Sequence, residues 1–351
     1  MCQRNCRTKS GLLSDHSRFG SMKDDIANCV VRSGVSPHDT RRQIEATYRA
    51  KLALLQRDGL DQMVTITPLD DASYAGVLLS ERQAQLLIRR HRRRRKRYSL
   101  FFEEDLTAKW PLPVPYAFDS DIAFHERDMI RGGIKDIESK TCIRFVEKTP
   151  RPSSSQPHIF IQKSNHPGYC GLSFLGRVES ANLLLLNFNS NCLPTINGTI
   201  VHYLLHTLGV DHELARYDRD EFVRVNWDNI DPQRYDLYAR DTHGTSLTSY
   251  GVSYDYLSVM HYGAQYAALD RSKPTMTVLK EPWYFQSRIG QRSALSLKDA
   301  HILHKMYCMP GCTDRHRFCG YWATHDHCET HLKSLSYHCQ KSCDLCLGRE
   351  V

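Results

Sequence analysis

Residues 202–213 read His-Tyr-Leu-Leu-His-Thr-Leu-Gly-Val-Asp-His-Glu and contain three histidines at fixed spacings. His202 and His206 are four residues apart, so a helix places both imidazoles on one face. Gly209 follows, where a glycine can end the helix in a left-handed conformation and turn the chain so that His212 returns to the same point. Three neutral imidazoles with one open position are typical of a catalytic zinc site. We therefore predict one bound zinc ion; the alternative is three unrelated surface histidines, since the chain has 18 histidines.

The positive charge of the chain is concentrated in one short run. The formal net charge is +8, yet residues 98–351 carry 27 basic and 29 acidic side chains, a net charge of −2. Most of the excess lies in Arg-Arg-His-Arg-Arg-Arg-Arg-Lys-Arg at 89–97. Such runs can bind nucleic acid, but the composition changes abruptly after this one. We predict a cleavage site for a basic-residue convertase and no nucleic-acid partner; a solvated basic patch is the alternative.

Thirteen cysteines are more than a cytosolic protein of this size usually contains. Two sets with even numbers of cysteines indicate disulfides formed in an oxidising compartment, whereas Cys2, Cys6 and Cys29 show no pattern. We therefore predict a secreted protein. Asn197-Gly198-Thr199 is a glycosylation sequon, although Asn-Gly is also an ordinary turn. The two sets are Cys142, Cys170, Cys192, Cys308 and then Cys312, Cys319, Cys328, Cys339, Cys343, Cys346.

The N-terminus does not fit the prediction of secretion. The basic residues Arg4 and Arg7 are not followed by an apolar stretch, so no signal peptide is visible there. We expect the true start to differ from the printed one, or export by another route. No apolar run approaches the roughly 18 to 20 residues of a membrane helix. No membrane span is therefore predicted.

Three regions differ in composition and pattern. Residues 1–97 form a predicted pro-segment, with apolar periodicity that favours helices at Arg41–Leu55 and Ser80–Ile88. Residues 98–309 form a predicted central domain, and residues 310–347 a cysteine-rich module. Strands, a long helix and further strands in the central domain predict an α+β fold. The predicted elements are strands at 113–118, 143–146, 159–161 and 183–186, a helix at Asp121–Ser139, and a helix that opens at Gly198.

Residues 202–213 resemble the metzincin signature H-E-x-x-H-x-x-G-x-x-H, which a methionine turn follows downstream. The stretch 258–262, Ser-Val-Met-His-Tyr, is similar to that turn in its astacin form, and Glu213 is another astacin feature. On these motifs the chain is identified as a member of the astacin family from about Trp110 to Cys308. The resemblance implies a two-lobed α+β domain with the zinc-binding helix at a cleft that binds a peptide or protein. Further similar stretches are 110–116, 140–146, 216–220 and 227–230.

The resemblance also implies roles for individual residues. The three histidines would hold one zinc ion, and Met260 would lie beneath it. Tyr262 would ligate zinc at rest and swing to stabilise the transition state. The two family disulfides would be Cys142–Cys308 and Cys170–Cys192.

Position 203 departs from the astacin pattern. In the family a glutamate stands there as the general base, which takes a proton from the zinc-bound water. Here the residue is Tyr203, whose ordinary pKa near 10 keeps it protonated at neutral pH. Losing general acid/base catalysis commonly costs about 10² to 10⁴ in rate. We therefore predict a zinc-binding homologue with little or no peptidase activity; a weakly active endopeptidase is the alternative.

A second departure lies in the pro-segment. Astacin pro-segments resemble one another around F-x-G-D, where the aspartate ligates zinc and keeps the zymogen inactive. Here residues 74–77 read Tyr-Ala-Gly-Val, so Val77 stands at the aspartate position. A valine side chain cannot coordinate zinc, and we therefore expect this latch to be absent.

Residues 310–347 resemble a ShK toxin (ShKT) domain. Six cysteines in 35 residues allow fifteen pairings, and zinc binding is a competing interpretation. The resemblance implies the pairs Cys312–Cys346, Cys319–Cys339 and Cys328–Cys343. The toxins block channels with a lysine followed by a tyrosine, whereas this chain has Lys333-Ser334. A spacer or targeting module is therefore favoured over a channel-modulating effector.

Overall fold

The computed structural model describes residues 37–58, 77–92, 109–165, 169–238, 249–309, 311–316 and 318–346. Several features predicted from the sequence lie outside these residues: Cys2, Cys6 and Cys29, residues 74–76 and the basic run beyond Arg92. Within the described parts, none of the helices is long and apolar enough to cross a membrane.

The N-terminal segment, residues 37–92, contains the two predicted helices. Helix α1 spans Pro37–Asp58 and helix α2 spans Glu81–Arg92, so each extends a few residues beyond its prediction. The two helices pack against each other. The Thr47 hydroxyl, buried within α1, accepts a hydrogen bond from the backbone N–H of Leu79 at 3.2 Å. This bond holds the residues that precede α2 against helix α1.

A five-stranded sheet forms the upper lobe, residues 109–207. Its strand order is β2-β1-β3-β5-β4, and all neighbouring pairs are parallel except β4 with β5. All six residues of β5 are buried, as expected for a strand covered on both faces. The antiparallel strand β4 forms one edge of the sheet. The strands are β1 (Val114–Phe118), β2 (Phe145–Glu147), β3 (His158–Lys163), β4 (Gly171–Ser173) and β5 (Ala181–Leu186).

Two helices cover one face of this sheet. Helix α3 (Phe124–Lys140) buries Ile130, Ile134 and Ile137 on one face, and helix α4 spans Ile196–Thr207. A Cβ at Gly133 of α3 would collide with a side chain of α4, so the two helices approach closely there. The prediction of α3 is confirmed with its start moved to Phe124. Helix α4 starts two residues before Gly198 and positions the histidines.

The lower lobe, residues 208–309, is built mainly from turns and short 3₁₀ helices. It contains the antiparallel pair β6 (Val223–Val225) and β7 (Met276–Val278), the short helix α5 (Pro282–Phe285) and helix α6 (Leu297–Tyr307). The side chain of Ser296 caps α6 by accepting from the N–H of Asp299. These two strands have only three residues each, too few for the sequence pattern to predict them.

Five disulfides join the ten cysteines that the structure describes. Two lie in the central part of the chain and three in the C-terminal module, residues 311–346, where helices α7 (Cys319–Thr324), α8 (His327–Thr330) and α9 (Leu332–His338) pack around them. The structure brings together each pair that the two resemblances imply. The pairs are Cys142–Cys308, Cys170–Cys192, Cys312–Cys346, Cys319–Cys339 and Cys328–Cys343.

Lys305 of α6 fastens the C-terminal module to the lower lobe. Its side chain is buried, and its Nζ donates to the carbonyl of Tyr250 at 2.9 Å and to that of Ser342 at 3.4 Å. Nζ also lies 2.9 Å from a carboxylate oxygen of Asp344. A Cβ at Gly251 would collide with the carbonyl of Ser342, so the two surfaces are in direct contact. The module is therefore docked on the lower lobe at this point.

Replacing Lys305 with methionine is expected to loosen the module while the metal site stays intact. The buried carbonyl acceptors lose their donor, which costs about 1–3 kcal/mol for each unsatisfied group. Hydrogen exchange in residues 312–346 should become faster, with unchanged exchange in α4. Arg315→Met is the matched control, because Arg315 lies over the ring of Tyr337 inside the module. Equal protection of the module in both variants would contradict the anchoring role.

Candidate metal centre

Helix α4 and the turn after it bring three histidines to one point. His202 and His206 lie on one face of α4, which ends at Thr207. Gly209 has φ +99°, a conformation that glycine adopts without strain, and its N–H donates to the carbonyl of His206 at 2.9 Å. The chain reverses there and carries His212 back toward the helix. The left-handed glycine predicted from the sequence is present.

The three imidazoles form a compact group with the geometry of a metal site. Nε2 of His206 lies 3.1 Å from Nε2 of His202 and 3.1 Å from Nε2 of His212. The exposed fractions are 0% for His206 and 5% for each of the other two. No other group of three or more possible metal ligands occurs among the residues that the structure describes. The donor set therefore fits one ion at the point where the Nε2 atoms converge.

Burial keeps His202 and His206 in the neutral form that binds metal. Desolvation lowers the pKa of His206 to about 3 and holds the pKa of His202 well below its usual value. Neutral imidazole is the species that coordinates zinc, and proton competition for these nitrogens is weak at neutral pH.

The Nδ1 atoms of the histidines are held by the surrounding chain. His202 donates from Nδ1 to the carbonyl of Val259 at 2.9 Å, and His206 to that of Val210 at 2.9 Å. These bonds fix the ring orientation and leave each Nε2 free for a metal. Nδ1 of His212 instead lies 3.0 Å from the hydroxyl of Tyr262.

The methionine turn is positioned by a carboxylate that the sequence did not reveal. Asp299, in the first turn of α6, accepts from the hydroxyl of Ser258 at 2.6 Å and from the N–H of Val259 at 2.9 Å. Because Val259 is also the acceptor for His202, Asp299 supports a ligand through the turn. Met260 is 1% exposed and belongs to the same apolar core as α4.

Comparison with known proteins agrees with this geometry. A family model described as Astacin, a peptidase family, matches residues 102–308. This chain belongs to the astacin family. Members of this family are zinc metalloproteases, and the three histidines are the group that can hold the zinc ion.

Several relatives share much of the sequence. Over 322 residues the chain is 38% identical to zinc metalloproteinase nas-10 of Caenorhabditis elegans, covering 87% of this chain and 58% of that protein. Zinc metalloproteinase nas-11 of the same organism is 39% identical over 257 residues, with 72% and 43% covered. High choriolytic enzyme 1, a hatching enzyme zinc-protease from Oryzias latipes, matches with TM-score 0.48 and 30% identity over 60% of this chain and 97% of that chain. The chain spans about half the length of its curated relatives.

Tyr203 of this astacin lies between the metal site and the edge of the sheet. Its ring centroid is 5.0 Å from that of His202 and 5.9 Å from that of His206. A Cβ at Gly171 of β4 would collide with the Tyr203 ring, so the phenol fills the space against that strand. Burial is the main cause that raises the pKa of Tyr203 above its ordinary value. The phenol is therefore protonated throughout the neutral pH range.

Glu213 and Asn197 were also singled out from the sequence. The side chain of Glu213 is 14% exposed, and desolvation raises its pKa to about 7. It accepts from Arg216 at 3.1 Å and from the N–H of Asp255 at 2.8 Å. Glu213 thereby joins the third histidine to the segment that leads into the methionine turn. Asn197 is exposed in the first turn of α4.

Asp211 is the carboxylate nearest to a predicted ligand and was not singled out from the sequence. Its Oδ1 lies 3.5 Å from Nδ1 of His212 and accepts from the backbone N–H of the same residue at 2.6 Å. A carboxylate beside the second nitrogen of a ligating histidine orients the ring and increases its basicity. The spacing of the three histidines gives no information about this contact.

Replacing Asp211 with alanine is expected to weaken zinc binding about 10- to 100-fold, the usual effect of losing such a partner. Competition with a chromophoric chelator measures the affinity directly. Asp220→Ala is the matched control, because that carboxylate pairs with Arg219 and is half exposed. An Asp211 variant with the zinc affinity of the control would contradict the positioning role.

Proposed function

We propose that this protein is a secreted, zinc-binding astacin homologue with little or no peptidase activity, which acts by binding a peptide or protein in its cleft. The observation that carries the proposal is Tyr203. In the astacin pattern its position belongs to the glutamate that serves as general base. A partly buried phenol with a raised pKa stays protonated at neutral pH and cannot take up a proton there.

The rest of the site supports metal binding rather than loss of the whole centre. Bound zinc would supply a Lewis acid that polarises water and a peptide carbonyl. The chain's own part is to hold three imidazoles together, to keep the hydroxyl of Tyr262 at 3.0 Å from His212, and to place the Tyr203 ring beside that of His202. The chain would therefore still bind zinc and a ligand, but it lacks the glutamate that transfers the proton in the astacin pattern.

A weakly active endopeptidase is the second candidate. The hydroxyl of Tyr262 lies beside the metal site and can stabilise negative charge on a reacting carbonyl. Activity of this kind would not need a base at position 203. It would be slow, because the residue at the general-base position is a protonated phenol.

The accessory regions extend the proposal. We propose that residues 1–97 are a pro-segment whose connection to the rest of the chain is cut by a basic-residue convertase, and that the C-terminal module is a ShKT domain that acts as a spacer or targeting element. The five disulfides support an extracellular location. The exposed Asn197 would carry a glycan.

The direct test combines metal analysis with a peptidase assay on residues 98–351. We expect about one zinc per chain together with hydrolysis near the background rate. Zinc-dependent cleavage at the rate of an active astacin would refute the proposed inactivity. A chain without zinc would refute the metal site.

A further inference from the structure

Helix α1 of the N-terminal segment contacts both lobes. Near its start, Ile44 is buried in an apolar cluster with Leu172 and Phe174 at the edge of the upper sheet. Near its end, Leu55 is 1% exposed in the lower-lobe cluster that contains Tyr238 and Tyr262. The helix therefore reaches from the edge of the upper sheet to the lower lobe, and it has a buried residue in each contact.

An ion pair one turn before Leu55 anchors the helix in the lower lobe. Nζ of Lys51 lies 3.2 Å from a carboxylate oxygen of Asp236, in the 3₁₀ helix Pro232–Tyr238. The two side chains are 0% and 1% exposed. Removing one partner of such a pair leaves a charge buried without compensation, which is far more costly than losing an exposed pair. Lys51 and Leu55 lie on the same face of α1 and enter the lower lobe together.

Residues 77–92 of the N-terminal segment are hydrogen-bonded to the edge of the upper sheet. The N–H of Leu78 donates to the carbonyl of Ser173, the last residue of the edge strand β4, at 2.9 Å. Leu78 thereby forms a parallel β-bridge with Phe174. The side chain of Gln83 in α2 donates to the carbonyl of Leu175 at 2.7 Å. The edge of the sheet beside the metal site is thereby paired with the chain's own N-terminal segment.

None of these contacts involves the three histidines of the metal site. Val77 is 1% exposed and belongs to an apolar cluster with Ala46, Ala50 and Leu175. No side chain of the described N-terminal segment belongs to the three-histidine group. The segment is held by buried apolar side chains, one edge-strand pairing and one buried ion pair. Cutting the backbone after residue 92 removes none of them.

We propose that the N-terminal segment stays bound to the rest of the chain as a non-covalent partner after the polybasic run is cut, with Lys51 and Leu55 as its anchor in the lower lobe. A ligand for the cleft then has to displace this segment. The inference does not depend on whether the metal site hydrolyses peptides.

The test uses the full chain with the recognition site of a sequence-specific viral protease inserted between Arg97 and Tyr98. After complete cleavage, the N-terminal fragment is expected to elute with the remainder in gel filtration at micromolar concentration. Non-reducing denaturing electrophoresis, in which the two fragments should separate, checks that no disulfide joins them. Separate elution of the fragments in gel filtration overturns the proposal.

Two variants of the same cleavable chain test the anchor. Lys51→Met keeps approximately the length of the side chain but removes the ammonium group that lies 3.2 Å from Asp236, and it should raise the dissociation constant of the fragment roughly 100-fold or more. Arg42→Met is the matched control in the same helix, since Arg42 pairs with Glu81 on the surface at 52% and 40% exposure. The control should change the constant less than about threefold.

A third variant separates the ion pair from a general disturbance of α1. Asp236→Asn combined with Lys51→Met removes both charges, and it should bind the fragment more tightly than Lys51→Met alone. Equal losses for Lys51→Met and Arg42→Met, or no recovery in the double variant, would overturn the assignment of the anchor.

Discussion

Tyr203→Glu is expected to raise peptide hydrolysis by residues 98–351 about 10²- to 10⁴-fold, the range attributed to general acid/base catalysis. A carboxylate at this position of α4 can accept a proton from the attacking water and return it to the leaving amine. It also occupies less volume than the phenol that now fills the space against Gly171. The other site residues need no rearrangement, because the three imidazoles and Tyr262 are already in place.

Tyr203→Gln is the control for this prediction, because glutamine has nearly the shape of glutamate but cannot accept the proton. The rate of the glutamine variant should remain near that of the natural chain. Hydrolysis by the glutamate variant should disappear with a zinc chelator and return with added zinc. A natural chain that cleaves as fast as the glutamate variant would show that position 203 does not limit the reaction.

The parts of the site that could be predicted from the sequence are those set by local geometry. The spacing of His202 and His206 follows from the helical period, and the left-handed conformation of Gly209 follows from the turn that has to carry His212 back. The burial of Ile130, Ile134 and Ile137 on one face of α3 follows from the same period. These features depend on residues no more than ten positions apart.

The contacts that were missed join distant parts of the chain. Asp299 holds the methionine turn from about forty residues away, and Lys51 meets Asp236 only because α1 reaches the lower lobe. A charged residue such as Lys51 in a polar, partly amphipathic stretch is ordinarily exposed, so its burial has no local signal. Lys305 is a similar case, because its acceptors belong to a separate disulfide-linked module. Tertiary packing determines all of these contacts, and periodicity carries no information about them.

His206→Ala is expected to abolish stoichiometric zinc binding and to lower the melting temperature of residues 98–351 by about 8 to 16 °C in the presence of zinc. With free zinc about 1,000-fold above the dissociation constant, binding stabilises the folded state by about 4.1 kcal/mol. Each kcal/mol shifts the midpoint by about 2–4 °C for a domain of this size. The Nε2 atom of His206 lies 3.1 Å from the Nε2 atoms of both His202 and His212. Removing His206 therefore takes away the ligand atom that is close to both of the others.

The zinc-free protein should also respond to acid. The pKa of His206 in the folded state, about 3, lies below the usual 6.5, so the unfolded chain binds more protons between these values. The contribution of His206 to stability is therefore complete above about pH 6.5 and is lost as the pH falls toward 3. His206→Ala removes this contribution, and its melting temperature should depend less on pH in that window.

The control is His304→Ala, at an exposed histidine of α6, which should keep both the zinc dependence and the pH dependence of the melting temperature. If chelation leaves the melting temperature of the natural chain unchanged, then zinc does not bind these histidines, and a metal-dependent role for this fold is excluded.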